Sequence, residues 1–164
     1  MAANSVSPIV YGQGEGETFW WFGALATIKA STETTDGRVA VIELLSPQGP
    51  GSPLHVHHNE DEWFYVIDGE LTFWVGGRLV RASPGTFVYG PRDIPHTYTV
   101  TSARARTLVV TIPGGFEKFM RELSQPALTA TPPPPASKPP DMGLITATAA
   151  RYGIEILGPP GIPA

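Results

Sequence analysis

The sequence predicts an all-β protein, either a sandwich or a barrel, followed by short C-terminal helices. Between residues 17 and 112, short runs rich in Val, Ile, Thr, Phe, Tyr and Trp alternate with turn signals. This pattern is typical of many short strands joined by tight loops. The chain also holds 18 glycines and 18 prolines in 164 residues, and so many breakers leave little room for long helices.

Three dipeptides mark turns between the predicted strands: Asp36-Gly37, Asp68-Gly69 and Gly76-Gly77. Such pairs tolerate positive φ angles and therefore favour two-residue hairpin loops. We expect a tight turn at each dipeptide, within a barrel that spans about residues 17–112.

Beyond residue 112 the pattern changes to helices and an extended linker. A short helix is predicted by an apolar stripe at i, i+3, i+4 and i+7: Phe116, Phe119, Met120 and Leu123. Residues 126–140 hold seven prolines, which predicts an extended linker. Asp141 is expected to cap a last helix over about 142–152, and residues 158–164 are expected to lack regular structure. We expect residues 1–164 to form one domain.

Composition and charge argue against several classes of partner. The net charge is −4 and the 11 Lys and Arg residues are scattered, which argues against nucleic acid and anionic membranes as main partners. No apolar run approaches a membrane span, and the N-terminal residues lack the features of a secretory signal. The chain has no cysteine, which fits a reducing compartment, so we expect a cytoplasmic protein.

The turn at Asp68-Gly69 singles out one buried carboxylate. If these two residues form the hairpin loop, Phe64 faces Phe73 and Glu62 faces Val75. Alternation then places one set of side chains on a single face: Glu62, Phe64, Val66, Leu71, Phe73 and Val75. All except Glu62 are apolar, which marks this face as the core side. A buried carboxylate must be protonated, paired or bound to a metal.

Three of the four histidines can meet Glu62 inside one barrel. His55 and His57 are separated by one residue, so in a strand they point the same way. His96 opens a predicted strand after a proline-framed segment, residues 91–95. Three imidazoles and one carboxylate suit Fe, Mn, Co, Ni, Cu or Zn and argue against a Ca or Mg cage.

Each of these polar residues also has a simpler, structural interpretation. A single histidine on a strand is usually structural, but four candidate ligands with this spacing favour one divalent transition metal. His58 has the wrong parity for that face and is expected in a solvated turn, as are Glu60 and Asp61.

These residues resemble the two motifs of the cupin superfamily over roughly residues 38–112. The first motif matches at Gly49, His55, His57, Glu62 and Gly69, and the second at Gly85, Pro91 and His96. Asp93 stands where the family usually has Gly, and Val100 where it often has Asn. The resemblance implies a double-stranded β-helix, a jelly-roll barrel, with His55, His57, Glu62 and His96 as metal ligands.

Residues 55–77 and 150–160 also resemble the single-domain bacterial quercetin 2,3-dioxygenases. This resemblance implies cleavage of a flavonol-like substrate by O2 with loss of carbon monoxide. Glu62 is then the candidate catalytic base for the substrate hydroxyl group. Burial raises the proton affinity of such a carboxylate and a metal lowers it, so its direction stays open at the level of sequence.

Aromatic residues are candidates for the walls of such a pocket, although core packing is the commoner role for each. The candidates are Trp20, Trp21, Phe22, Phe64, Phe73, Phe87, Tyr98 and Phe116. The linker and the last helix are candidates either for a cover over the barrel mouth or for surface packing.

The other face of the expected hairpin predicts a second contact. It would present a set of large side chains: Trp63, Tyr65, Ile67, Thr72 and Trp74. A monomer rarely leaves such a patch exposed to water, so either the segment 17–30 or a second subunit should cover it. We expect a homodimer with an isologous contact.

Two other functions remain open at the level of sequence, because this fold hosts many activities. One is a different metal-dependent reaction, such as isomerisation or decarboxylation of a small oxo-acid or natural-product intermediate. The other is a non-catalytic protein that binds a small ligand or a metal. Oxygen uptake separates dioxygenase activity from the first alternative, and tight ligand binding without turnover would indicate the second.

Overall fold

The computed structural model describes residues 6–164 and confirms the all-β class. The strands are β1 (Glu17–Trp21), β2 (Ala24–Ala30), β3 (Ala40–Pro50), β4 (Pro53–His57), β5 (Asp61–Asp68), β6 (Leu71–Val75), β7 (Arg78–Ala82), β8 (Phe87–Gly90), β9 (His96–Ile112), β10 (Gln125–Pro126) and β11 (Ile154–Pro160). The helices are α1 (Thr32–Thr35), α2 (Phe116–Leu123) and α3 (Met142–Arg151).

Two long strands, β3 and β9, connect two facing halves of a double-stranded β-helix. The C-terminal half of β9 pairs with β5 and with most of β3, and β2, β1 and β10 extend that sheet beyond β3. The N-terminal half of β9 pairs with β6 and, at His96, with β4. All these pairings are antiparallel, and β11 completes the second half by pairing with β4.

The core lies between the two halves, where inward-facing residues alternate with outward-facing ones. Phe64 on β5 and Phe73 on β6 approach each other with ring centroids 5.0 Å apart. Both are buried, as are Val66 and Leu71. The predicted inward face is therefore confirmed for these residues, and Glu62 is buried among them.

The hairpin expected at Asp68-Gly69 is wrong. β5 pairs with β8 and β9, whereas β6 pairs with β7 and β9, so the two strands lie in opposite halves. Gly69 is required for another reason: a Cβ atom there would lie 2.2 Å from the carbonyl oxygen of Arg104. Strands that face each other across a core show the same alternation as a hairpin, which explains the error.

Because β5 and β6 lie in opposite halves, the large side chains that were predicted to share one outward face lie on two separate surfaces. Trp63, Tyr65 and Ile67 belong to the outer surface of one half, while Thr72 and Trp74 belong to the other. Of the two alternatives for its cover, segment 17–30 is the wrong one, because β1 and β2 extend the sheet at the side of β3.

The other two dipeptides behave differently from each other. Gly76-Gly77 forms the predicted two-residue loop, with Val75 paired to Arg78 and both glycines at positive φ. Asp36-Gly37 instead ends helix α1, where the Gly37 N–H donates to the carbonyl of Thr32. A further two-residue loop, Phe22-Gly23, joins β1 to β2 and was not predicted.

The C-terminal segment contains the two predicted helices and two unexpected strands, the short β10 and the longer β11. Helix α2 matches the predicted range, and Asp141 caps α3 by accepting a hydrogen bond from the Leu144 N–H at 3.0 Å. The expectation that residue 158 onward lacks regular structure is wrong, because β11 continues to Pro160 beside Pro53. Prolines are tolerated there because β11 is an edge strand.

Candidate metal centre

Three strands bring the candidate ligands together. His55 and His57 project inward from β4, Glu62 lies near the start of β5, and His96 begins β9. His55 is directly paired with His96 across β4 and β9. Gly90 faces Glu62 on β8, and a Cβ atom at this glycine would lie 3.3 Å from Nδ1 of His96, so a larger residue would crowd the histidine.

The four side chains converge on one point. One donor atom from each of His55, His57, Glu62 and His96 lies within 4.8 Å of every other, and all four residues are buried. Oε2 of Glu62 lies 2.8 Å from Nε2 of His96 and 3.3 Å from Nε2 of His57. Nε2 of His55 lies 3.1 Å from Nε2 of His57.

Backbone carbonyls fix the orientation of two of the imidazoles. Nδ1 of His55 donates to the carbonyl of Pro53 at 2.8 Å, and Nδ1 of His96 donates to that of Ile94 at 3.0 Å. A carbonyl oxygen can only accept, so the proton of each neutral ring sits on Nδ1. The lone pair on Nε2 of both rings is therefore directed at the shared point.

The third imidazole is fixed by a carboxylate. Nδ1 of His57 lies 2.7 Å from Oε1 of Glu60, so it also donates and leaves Nε2 facing inward. Three Nε2 atoms and one carboxylate oxygen thus share a small buried space. This donor set suits a divalent transition metal, and the residues present fit one ion.

Burial and neighbouring charges act in opposite directions on the ionisable groups of this site. Burial lowers the pKa of His55 to about 3, and nearby His96 and His57 add to that effect. Burial also opposes charge on His57, but Glu62 and Glu60 outweigh it and raise the pKa of His57 to about 9. Burial alone would raise the pKa of Glu62, but His57 and His96 lower it well below its usual range. Glu62 is therefore ionised among these imidazoles.

Glu60 is the residue that the sequence reasoning missed. It was expected in a solvated turn, yet it is buried beside His57. Its only sequence signal is its position three residues after His57, which does not distinguish a buried carboxylate from an exposed one. His58 does lie at the surface as expected, with Nδ1 2.6 Å from Oδ1 of Asp93.

A cavity of about 280 Å³ opens beside the site and includes His55 and Glu62 in its lining. Its wall is mostly apolar and combines the barrel interior with the C-terminal segment. The C-terminal contributors are Phe116, Phe119, Met120, Pro140, Met142, Ile145, Ile154, Ile156 and Pro160. The linker end, α3 and β11 therefore form part of the cavity wall.

The structure separates the predicted aromatic residues into two groups. Trp21, Phe22, Phe64, Tyr98 and Phe116 line the cavity. Three others do not, for reasons that follow from strand parity and depth. Phe73 lies behind Phe64 in the core, Phe87 points outward from β8 with 60% of its surface exposed, and Trp20 donates its indole N–H to the carbonyl of Thr131.

Tyr98 is the polar aromatic residue of this wall. Burial raises its pKa to about 12, assisted by the charge of Glu62, so its phenol stays protonated and can donate. A Cβ atom at Gly51 would lie 2.1 Å from the Tyr98 ring. Glycine at that position therefore allows the ring its place beside the cavity.

Comparison with known proteins agrees with this geometry. A family described as cupin domain matches residues 41–111. The chain is 33% identical over 119 residues to quercetin 2,3-dioxygenase of Bacillus subtilis, a match that covers 73% of this chain and 35% of that protein. The chain thus spans about a third of the length of this curated relative.

Solved structures share the fold at lower identity. Pac13 from Streptomyces, described as a nucleoside dehydratase, is 17% identical with a TM-score of 0.56, covering 76% of this chain and 96% of that one. A predicted oxalate decarboxylase from Thermotoga maritima is 23% identical with a TM-score of 0.53, covering 55% of this chain and 80% of that one.

No helix within residues 6–164 is long and apolar enough to cross a membrane. Residues 41–111 match the cupin domain family, and the chain is similar in sequence to quercetin 2,3-dioxygenase.

Proposed function

We propose that the protein is a metal-dependent dioxygenase that cleaves a flavonol-like, quercetin-type substrate with O2. The observation that carries this proposal is the mostly apolar cavity that includes His55 and Glu62 in its wall. Its volume of about 280 Å³ is near the lower end of the range typical for small-molecule sites. Sequence similarity to quercetin 2,3-dioxygenase supports the same chemistry.

His55, His57, Glu62 and His96 are the proposed ligands of one divalent transition metal. Their burial, the convergence of their donor atoms and the outward-facing Nδ1 protons support this assignment. Such a metal supplies a Lewis acid that stabilises the anion of a substrate hydroxyl group. The ligands are proposed to bind Ni, Co, Mn, Fe, Cu or Zn, since all six accept imidazole and carboxylate donors.

Glu62 is also the proposed catalytic base. It reaches both the cluster of imidazoles and the cavity. The carboxylate is buried, which keeps water from competing with the substrate for it. Its proposed role is to take the hydroxyl proton of the substrate, after which O2 cleaves the ring and carbon monoxide leaves.

The charge of the cavity supports a neutral, flat substrate. Among the lining residues in the described part of the chain there is no Lys or Arg, so a phosphate or a second carboxylate would find no cationic side chain of either type. Phe64, Tyr98 and Phe116 offer aromatic surface, and Ser46 and Ser52 offer hydroxyl groups. This set suits a polyphenol better than a small dicarboxylic acid.

The test is oxygen consumption with quercetin by protein reconstituted separately with Ni, Co, Mn, Fe and Cu. We expect uptake of O2 and release of carbon monoxide with at least one metal. A fully loaded protein that consumes no O2 with quercetin would refute the proposal for this substrate. Turnover of another substrate without O2 uptake would instead indicate an oxygen-independent reaction.

A homodimer is the proposed assembly. The outer surface of β5 and β8 exposes Tyr65, Ile67, Phe87 and Tyr89, and the ring of Trp63 lies near those of Phe87 and Tyr89. An exposed aromatic surface of this kind favours association in water. An isologous contact would bury the same surface on both subunits.

A further inference from the structure

The three imidazoles of the metal centre differ in what holds them. His55 and His96 each donate from Nδ1 to a backbone carbonyl two residues earlier, at 2.8 and 3.0 Å. His57 donates to a side-chain carboxylate, Oε1 of Glu60, at 2.7 Å. A carboxylate carries a full negative charge, so it polarises the imidazole more strongly than a carbonyl does.

The environment of Glu60 indicates that the contact with His57 is its main role. Glu60 is 3% exposed and His57 is 1% exposed, and a carboxylate is costly to bury without a partner. Its neighbours Asp61 and Asn59 make contacts elsewhere: Asp61 pairs with Arg92, and Asn59 donates to the carbonyl of Tyr152 at 2.9 Å. Glu60 is thus the turn residue directed inward.

The surrounding backbone holds this turn in place. The His58 N–H donates to the carbonyl of Gly153 at 2.8 Å, and the Asp93 N–H donates to the carbonyl of His57 at 2.8 Å. A Cβ atom at Gly153 would lie 2.4 Å from the Asn59 side chain, so the two segments are in close contact. Rotation of Glu60 away from His57 would require this packed turn to move.

We propose that Glu60 is a positioning residue that fixes the His57 ring and strengthens its binding of the metal. This inference rests on the metal centre proposed above. A carboxylate behind a ligating histidine sets the ring orientation and raises its basicity as a donor. Loss of such a partner typically weakens metal binding by about 10–100-fold.

The experiment measures metal affinity on the full chain, stripped of metal and titrated with Co²⁺ against a chromophoric chelator. We expect Glu60→Gln to weaken Co²⁺ binding about 10-fold and Glu60→Ala up to about 100-fold. The visible absorption of bound Co²⁺ should also shift in both variants, because the field at the metal depends on the orientation of His57. A purely structural role for Glu60 would leave that spectrum unchanged.

Glu155→Gln is the matched control. Glu155 also lies beside a histidine, with Oε2 3.4 Å from Nε2 of His58, but its side chain is 62% exposed and contacts no proposed ligand. It should leave both the affinity and the Co²⁺ spectrum unchanged. If Glu60→Ala fails to fold, as judged by circular dichroism, Glu60→Gln decides the outcome because it preserves shape.

Two results would overturn the inference in distinguishable ways. Tight Co²⁺ binding by the parent and equally tight binding by Glu60→Gln, with the same spectrum, would refute the role of Glu60 alone. A parent protein that binds no metal would refute the proposed metal centre and this inference together.

Discussion

Glu117 offers the sharpest test of how the cavity wall is held. This carboxylate is fully buried and accepts three hydrogen bonds from two separate segments. Oε1 accepts from the N–H of Thr32 at 2.8 Å and from its hydroxyl at 2.7 Å, and Oε2 accepts from the Gly115 N–H at 2.8 Å. These donors begin α1 and α2, so Glu117 joins α1 to the helix that carries Phe116 into the cavity wall.

The expected loss of stability in Glu117→Ala follows from the N–H donors that would lose their acceptor. Glu117→Ala would leave two partly buried backbone N–H groups without their acceptor, at about 1–3 kcal/mol each. Both groups are only partly buried, which puts each cost in the lower part of that range, so we expect the free energy of unfolding to fall by about 2–4 kcal/mol. For a chain of this length that lowers the melting temperature by roughly 5–15 °C. Glu117→Gln keeps one acceptor oxygen and should lose about half as much.

The measurement is thermal unfolding followed by circular dichroism on the metal-free protein, which separates this effect from metal binding. Lys118→Ala is the control, because Lys118 is the next residue on the same helix and its side chain is exposed; it should change stability by less than about 0.5 kcal/mol. A melting temperature for Glu117→Ala within about 2 °C of the parent would refute this account of the carboxylate.

Three further predictions concern the metal, the base and the assembly. His57→Ala should lose metal in elemental analysis, and retention of one full equivalent would contradict the proposed ligand set. Glu62→Gln should keep part of its metal but lose quercetin turnover; an unchanged rate would limit Glu62 to a ligand or a bystander. Tyr65→Lys should shift the particle from dimer to monomer in light scattering, while Leu79→Lys, which is 65% exposed on the opposite half, should not. A parent protein that is already monomeric would refute the homodimer.

The sequence predicted the site better than the strand pairing, for a physical reason. Alternation with a period of two places Glu62, Phe64 and Phe73 inside whether their strands pair with each other or face each other across a core. Side-chain patterning therefore identified the buried carboxylate while the hairpin at Asp68-Gly69 was wrong. The partner of each strand depends on contacts distant in sequence, and a local dipeptide such as Asp68-Gly69 does not determine those contacts.

Glu60 and Phe87 illustrate the same limit at single residues. Glu60 lies in a polar turn, where composition predicts exposure, but the approach of Tyr152 and Gly153 leaves it inside. Phe87 is of a residue type that is common in pocket walls. Its position in the alternation of β8, however, directs its side chain outward. The single domain and the cytoplasmic location stay predictions from the sequence.

The pairing of β4 with β11 sets an order on how the protein forms. His57 lies opposite Ile154, almost one hundred residues later in the chain. Contacts this distant in sequence form slowly, because the entropy cost of closing a long loop comes before the contacts can stabilise the chain. During synthesis, the strand that holds two of the proposed ligands therefore keeps an open edge until residues 154–160 have emerged. An open edge invites pairing with other chains, so this strand is open to misassembly until β11 pairs with it.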